Sequence, residues 1–116
     1  MALSKSWDEH VVEHFRERPE EIPGYLDACL EEGTSAFLGG LRHVIESRSG
    51  MADAASKARV HRVSLYKMLG EGGNPTLGSL SKVLEALGLR LSVVSKAQTE
   101  RRSRAVRRAA GAASAR

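Results

Sequence analysis

The stretch MADAASKARVHRVSLYKMLGEGGNPT, residues 51–76, leaves few folds open. Its first part, Met51 to about Ala58, is rich in alanine, and small side chains let another helix approach closely. Arg59, Val60 and His61 turn the chain into a second helix of about two turns, and GEGGNP ends that helix abruptly. So short a helix makes too few hydrogen bonds to offset its nucleation and does not stand alone. On a helical wheel Leu65, Met68 and Leu69 fall on one side, Val63, Tyr66 and Lys67 on the other, and Arg62 at the flank. The apolar side must be held by neighbouring helices, which leaves the polar side free to touch something else.

Those neighbours are legible on both sides. Trp7, Val11 and Phe15 repeat at four residues and predict a short amphipathic helix, interrupted by RERPEEIPG. Tyr25, Leu26, Cys29 and Leu30 predict a second helix that Gly33 stops. Thr34 is placed to cap a third, whose stripe is Phe37, Leu38, Leu41, Val44 and Ile45. Thr76 is placed to cap the helix of Leu77, Leu80, Val83, Leu84 and Leu87, which Gly88 ends. LRLSVVS, over 89–95, reads as one short strand, which needs a partner in this chain or in a second copy. The tail from residue 96 is rich in Ala and Arg without a stripe to bury, and is expected to be disordered when free. The predicted fold is all-α: a compact helical bundle with one short C-terminal strand and a disordered basic tail.

Charge divides the chain by role. Residues 1–32 carry three basic against nine acidic residues, net −6; residues 33–95 carry eight against four, net +4; residues 96–116 carry seven against one, net +6. The later segments favour a polyanion, and the acidic front end favours a basic partner. No apolar run approaches a membrane span, the N-terminus has no apolar leader core, and the lone Cys29 cannot form an internal disulfide. These features predict a cytoplasmic protein.

Catalytic and metal chemistry find little purchase. His10 and His14 share a helical face, but no third ligand is fixed beside them and no HExxH is present, so no metal site is expected. GEGGNP lacks the lysine and the preceding strand of a phosphate loop. No enzyme activity and no cofactor are expected.

Two short helices joined by a tight turn, the second with a polar outer face, form a helix-turn-helix layout, which suits the width of a DNA major groove. With SLYKML as the second helix, GGNPT as the loop and VLEALGLRL as the ending, the chain resembles the phage-repressor-type (Xre-like, Cro/C1) helix-turn-helix family. More narrowly it is similar to the addiction-module antidote proteins, HigA-like antitoxins, which GYLDACLEEGTSAFLGGLRHVIESRSG also matches. The resemblance covers roughly residues 22–95. It implies a phage-repressor-like domain over 34–95, preceded by an acidic helical segment over 1–33 and followed by the tail, 96–116.

By the same resemblance, Met51 begins the backbone-contacting helix, and Arg62, Val63 and Lys67 take base-reading positions. Ser64 and Tyr66 lie near phosphate or groove walls, and Gly72, Gly73 and Asn74 form a loop that approaches the DNA backbone. Arg59 stands where the family's turn usually has Gly, and His61 where a small polar cap is usual. A left-handed Arg59 would be strained, and a phosphate contact would offset that strain. The implied function is that of a dimeric antitoxin of a type II toxin–antitoxin module. It would repress its own operon and neutralise a small basic RelE-like ribonuclease toxin, with Trp7, Phe15 and Tyr25 as candidate toxin anchors. The alternatives are a free-standing repressor without a toxin, and an interaction module whose helix no longer touches DNA.

Overall fold

The computed structural model describes residues 6–98 and 100, and six α-helices carry its architecture. Helix α1, Trp7–Glu17, starts at Ser6, whose Oγ accepts the Glu9 N–H at 3.2 Å. Asp8 and Glu9 in the first turn complement the helix dipole. The helix stops before Pro19, and Pro19–Glu21 make a single 3₁₀ turn. Helix α2, Ile22–Glu32, carries Pro23 in its first turn, where the missing N–H costs nothing. Pro23 therefore opens a helix rather than interrupting one. Gly33, at φ 136°, separates α2 from α3, Thr34–Ser47; Gly33 takes the cap position expected for Thr34, and no side chain caps this start.

Helices α4, Gly50–Ala58, and α5, Arg62–Leu69, follow, and α6, Leu77–Ala86, is capped as expected, Thr76 Oγ1 accepting the Ser79 N–H at 3.1 Å. Helix α3 is the axis of the bundle and packs against α1, α2, α4 and α5, while α6 packs on α4. Its stripe supplies Leu41, Val44 and Ile45 to the centre, where Leu65 of α5 and Val83 of α6 meet them, all at 0% exposure. Ser47 is the one buried polar residue of this core among those described, and its hydroxyl donates to the Val44 carbonyl at 2.6 Å. The front end shares the same core through Val11, Phe15, Ile22 and Leu26.

A directed hydrogen-bond chain also ties the front end to α3. Asp8 Oδ1 lies 2.8 Å from His43 Nε2, and His43 Nδ1 lies 3.2 Å from the Tyr25 hydroxyl. A carboxylate only accepts, so Nε2 carries a proton, and in the neutral ring Nδ1 accepts from Tyr25. Burial pushes the Tyr25 phenol up to about 12, with Cys29, Asp8 and Glu32 acting in the same direction, so it remains a donor.

The strand expected over 89–95 is not formed. Those residues are irregular and no sheet ladder exists among the described residues, so the segment lacks the partner a strand requires. Leu91, Val93 and Val94 are left 41%, 99% and 38% exposed. Residues 96–98 begin a helical turn, with Ser95 Oγ accepting the Gln98 N–H at 3.1 Å. The disorder expected of the basic tail concerns, from residue 101 on, positions outside the described residues. No helix among the described residues is long and apolar enough to cross a membrane.

Helix α2 lies close against α3 at Gly40, where an added Cβ would stand 2.8 Å from Cys29 Sγ and 3.2 Å from Tyr25 Cε2. Gly40→Ala should therefore destabilise the fold by about 1–3 kcal/mol, the usual cost of overpacking, in denaturant unfolding. Adding Cys29→Ala, which removes the sulfur, should recover part of that loss.

Candidate nucleic-acid interface

The turn between α4 and α5 is built by a specific closure. The Arg59 N–H bonds to the Ser56 carbonyl at 3.2 Å and the Val60 N–H to the Ala55 carbonyl at 3.0 Å, the paired bonds of a Schellman motif. The motif needs a left-handed residue, and Arg59 occupies it at φ 58°, ψ 44°. Among the described residues it is the only non-glycine with positive φ. The same closure ends α6 with Gly88, at φ 77°, where Gly88 N–H reaches Glu85 at 2.9 Å and Leu89 N–H reaches Leu84 at 2.8 Å. Thus Arg59 adopts, at a cost, the conformation that Gly88 adopts freely.

Helix α5 leaves this turn at His61, its N-cap, whose side chain makes no capping bond. Leu65 and Leu69 are buried, Met68 is half-buried, and Arg62, Val63, Ser64, Tyr66 and Lys67 are exposed. Val63 is 65% exposed and Tyr66 37%, so most of the outer face is open to solvent. From Lys57 to Gly70 the sequence holds Lys57, Arg59, Arg62 and Lys67 and no carboxylate.

The loop after α5 is tight. Gly72 is at φ 75°, and the Gly73 N–H bonds to the Gly70 carbonyl at 3.0 Å. A Cβ on Gly73 would strike the Met68 carbonyl and stand 2.9 Å from that of Gly70, so only glycine fits. Asn74 is exposed at the outer edge. Beside the turn, an open cleft of about 440 Å³ is lined by Lys57, Ala58, Arg59, Lys82, Glu85 and Ala86. Lys57 and Arg59 stand at the C-terminal end of α4, where the helix dipole favours positive charge.

Other residues singled out in the sequence lie elsewhere. Met51 is 6% exposed and packs in the core, so its side chain is not presented at the surface. At that end of α4, Ser49 donates to Asp53, and with Lys57, 3.0 Å away, holds the Asp53 carboxyl below the usual carboxylate range. Of the three aromatic anchors expected in the front end, only Trp7 faces outward, at 75% exposure. Phe15 is 4% exposed, and Tyr25, half-buried, tilts on it with ring centroids 4.6 Å apart, so both rings serve the core. The His10–His14 pair forms no metal cluster among the described residues; His14 Nε2 instead meets Glu21 at 2.9 Å.

One contact escaped the sequence. Arg42, on α3, stacks on the Tyr66 ring with its guanidinium carbon 5.6 Å from the centroid, and Arg62 lies 5.9 Å from the same centroid. Guanidinium groups from two different helices thus approach one aromatic ring. The helical wheel sets Arg42 off the apolar stripe of α3, but nothing in the sequence assigns it to α5.

A family model described as a probable addiction module antidote protein matches residues 8–95. An uncharacterised protein of Haemophilus influenzae strain Rd is 37% identical over 87 residues, covering 74% of this chain and 88% of that protein. No solved structure matches the chain.

Arg59→Gly should relieve the left-handed strain and stabilise the fold by about 1 kcal/mol, read as a raised denaturant midpoint with unchanged slope. A loss of stability instead would mean that the Arg59 side chain contributes more to the fold than its backbone conformation costs.

Proposed function

The chain belongs to the probable addiction module antidote protein family, and on that premise we propose that it is a DNA-binding antitoxin of the Xre-like, HigA-like type. In this reading it represses its own operon and neutralises a partner toxin, a small basic RelE-like ribonuclease. The observation that carries the DNA-binding part is the outer face of α5: exposed, cationic, free of carboxylates and pinned by Leu65 and Leu69. A helix so presented fits the major groove, where Arg62 and Lys67 offer donors to guanine and Val63 offers an apolar contact to a thymine methyl. Arg59, Ser64 and the loop edge at Gly73 and Asn74 face backbone phosphates. His61, at the start of α5, lies at the edge of the groove. Met51 serves this surface only indirectly, by fixing α4 in the core.

The three segments then divide the work, although the first two share one core. Residues 1–33 carry the acidic surface for the toxin, with Trp7 as its exposed anchor; residues 34–95 hold the DNA; residues 96–116 add charge attraction to phosphate. A helix of two turns reads few base pairs, so useful specificity calls for two copies on two half-sites. The exposed Leu91, Val93 and Val94 supply the apolar surface for a homodimer, in which 89–95 finds in its mate the strand partner it lacks in one chain.

A duplex taken from the DNA upstream of the gene should bind the protein. Arg62→Ala with Lys67→Ala should weaken binding more than tenfold, since each good base contact is worth about 1–3 kcal/mol. Undiminished binding by that double variant would remove α5 from the interface. Trp7→Ala should weaken binding to the product of the neighbouring gene and leave DNA affinity intact; the absence of any such partner would favour a free-standing repressor.

Val93→Asp should convert the dimer to a monomer in sedimentation and lower DNA affinity about 100-fold, the low end of the gain from linking two sites. A variant that remains dimeric places the subunit contact elsewhere.

A further inference from the structure

Helix α3 lies outside the helix-turn-helix pair, yet it brings one cation to the outer face of α5. Arg42 is half-exposed and held twice: its guanidinium stacks on Tyr66, and its Nε meets Glu46 Oε1 at 3.3 Å, one helical turn along α3. Tyr66 is 37% exposed and takes Arg62 as well. One ring thus takes a cation from α3 and another from α5. Stacking orients a planar guanidinium and leaves its edge free to donate, and a fixed fork of donors is what a phosphate recognises. An anion placed against the free edge of Arg42 gains the attraction of a positive charge that the ring already holds in place.

We propose that Arg42 is a backbone-phosphate ligand of the DNA interface, with Tyr66 as the residue that positions it and Glu46 as the carboxylate that occupies it when DNA is absent. This rests on the reading of α5 as the DNA-contacting helix and extends the interface to a helix outside the motif. Binding then includes an exchange: Arg42 Nε–H leaves Glu46 Oε1 for a phosphodiester oxygen, while the cation–ring contact is kept. Glu46, exposed by 38% in its side chain, returns to water at little cost. Because a phosphate carries no sequence information, Arg42 adds affinity and orientation but no base preference.

The test uses the full chain and two fluorescent duplexes, the upstream DNA and a scrambled fragment of equal length, titrated from low to high salt. Arg42→Ala should weaken binding to both by about the same factor, roughly threefold to tenfold, and make the log–log salt slope shallower by about 0.9, the value for one lost phosphate contact. Glu46→Gln should strengthen binding to both, and by more than Glu31→Gln, which removes the same charge from α2. Tyr66→Leu, which keeps bulk but not the ring, should give an intermediate loss with Arg42 still present. Circular dichroism on each variant separates these effects from unfolding.

An Arg42→Ala protein that is folded and has the wild-type affinity and slope, while Arg62→Ala loses binding, overturns the proposal and leaves the α5 reading standing. A change in the ratio of the two duplexes on Arg42→Ala overturns it as well, since Arg42 would then be reading bases. Failure of the wild-type chain to bind either duplex removes both the proposal and the reading beneath it.

Discussion

The burial of Leu65 and Leu69 is the interaction on which the rest depends. Helix α5 has eight residues and no side-chain cap, so nothing local holds it in place. Its two leucines enter the common core where α5 packs on α3 and α4, and that packing fixes the orientation of the outer face. Each neighbouring element has an adaptation that serves it. Alanines at 54, 55 and 58 keep α4 thin enough for close approach, the Schellman turn sets the angle between α4 and α5, and Gly73 folds the loop back beneath α5.

Most of this framework could be read from residue spacing because it is local. The stripe of α3, the Thr76 cap and the Gly88 stop each depend on contacts within one or two turns of helix. The left-handed Arg59 came into view only through the family resemblance, which has Gly at that place in the turn. What could not be read is what depends on distance in sequence or on partners. Phe15 and Tyr25 lie on apolar stripes and could be read either as core or as anchors, because nothing in the sequence shows that α1 and α2 pack on α3. Met51, in the first turn of α4, is buried where α4 packs on α3, which its spacing alone does not show. The stack of Arg42 on Tyr66 joins two helices by geometry alone. The strand over 89–95 had the right residues, but a strand is a property of a pair and one chain supplies only half of it.

The front end illustrates how acidity and packing coexist. Val11, Phe15, Ile22 and Leu26 bind it to the core, while the exposed carboxylates of α1 and α2 remain on the surface. Asp8, itself 71% exposed, also reaches back to His43 and through it to Tyr25. The first turn of α1, which carries Trp7, is thereby attached at a defined place on α3 instead of fraying. A surface presented by so short a helix is useful for recognition only when its end is held in this way.

Arg59 has a consequence for the lifetime of the molecule. A deficit of about 1 kcal/mol raises the population of the unfolded chain about fivefold, because net stabilities are themselves small. Proteases that digest the open form respond to that population, so a single backbone angle helps set the rate of turnover.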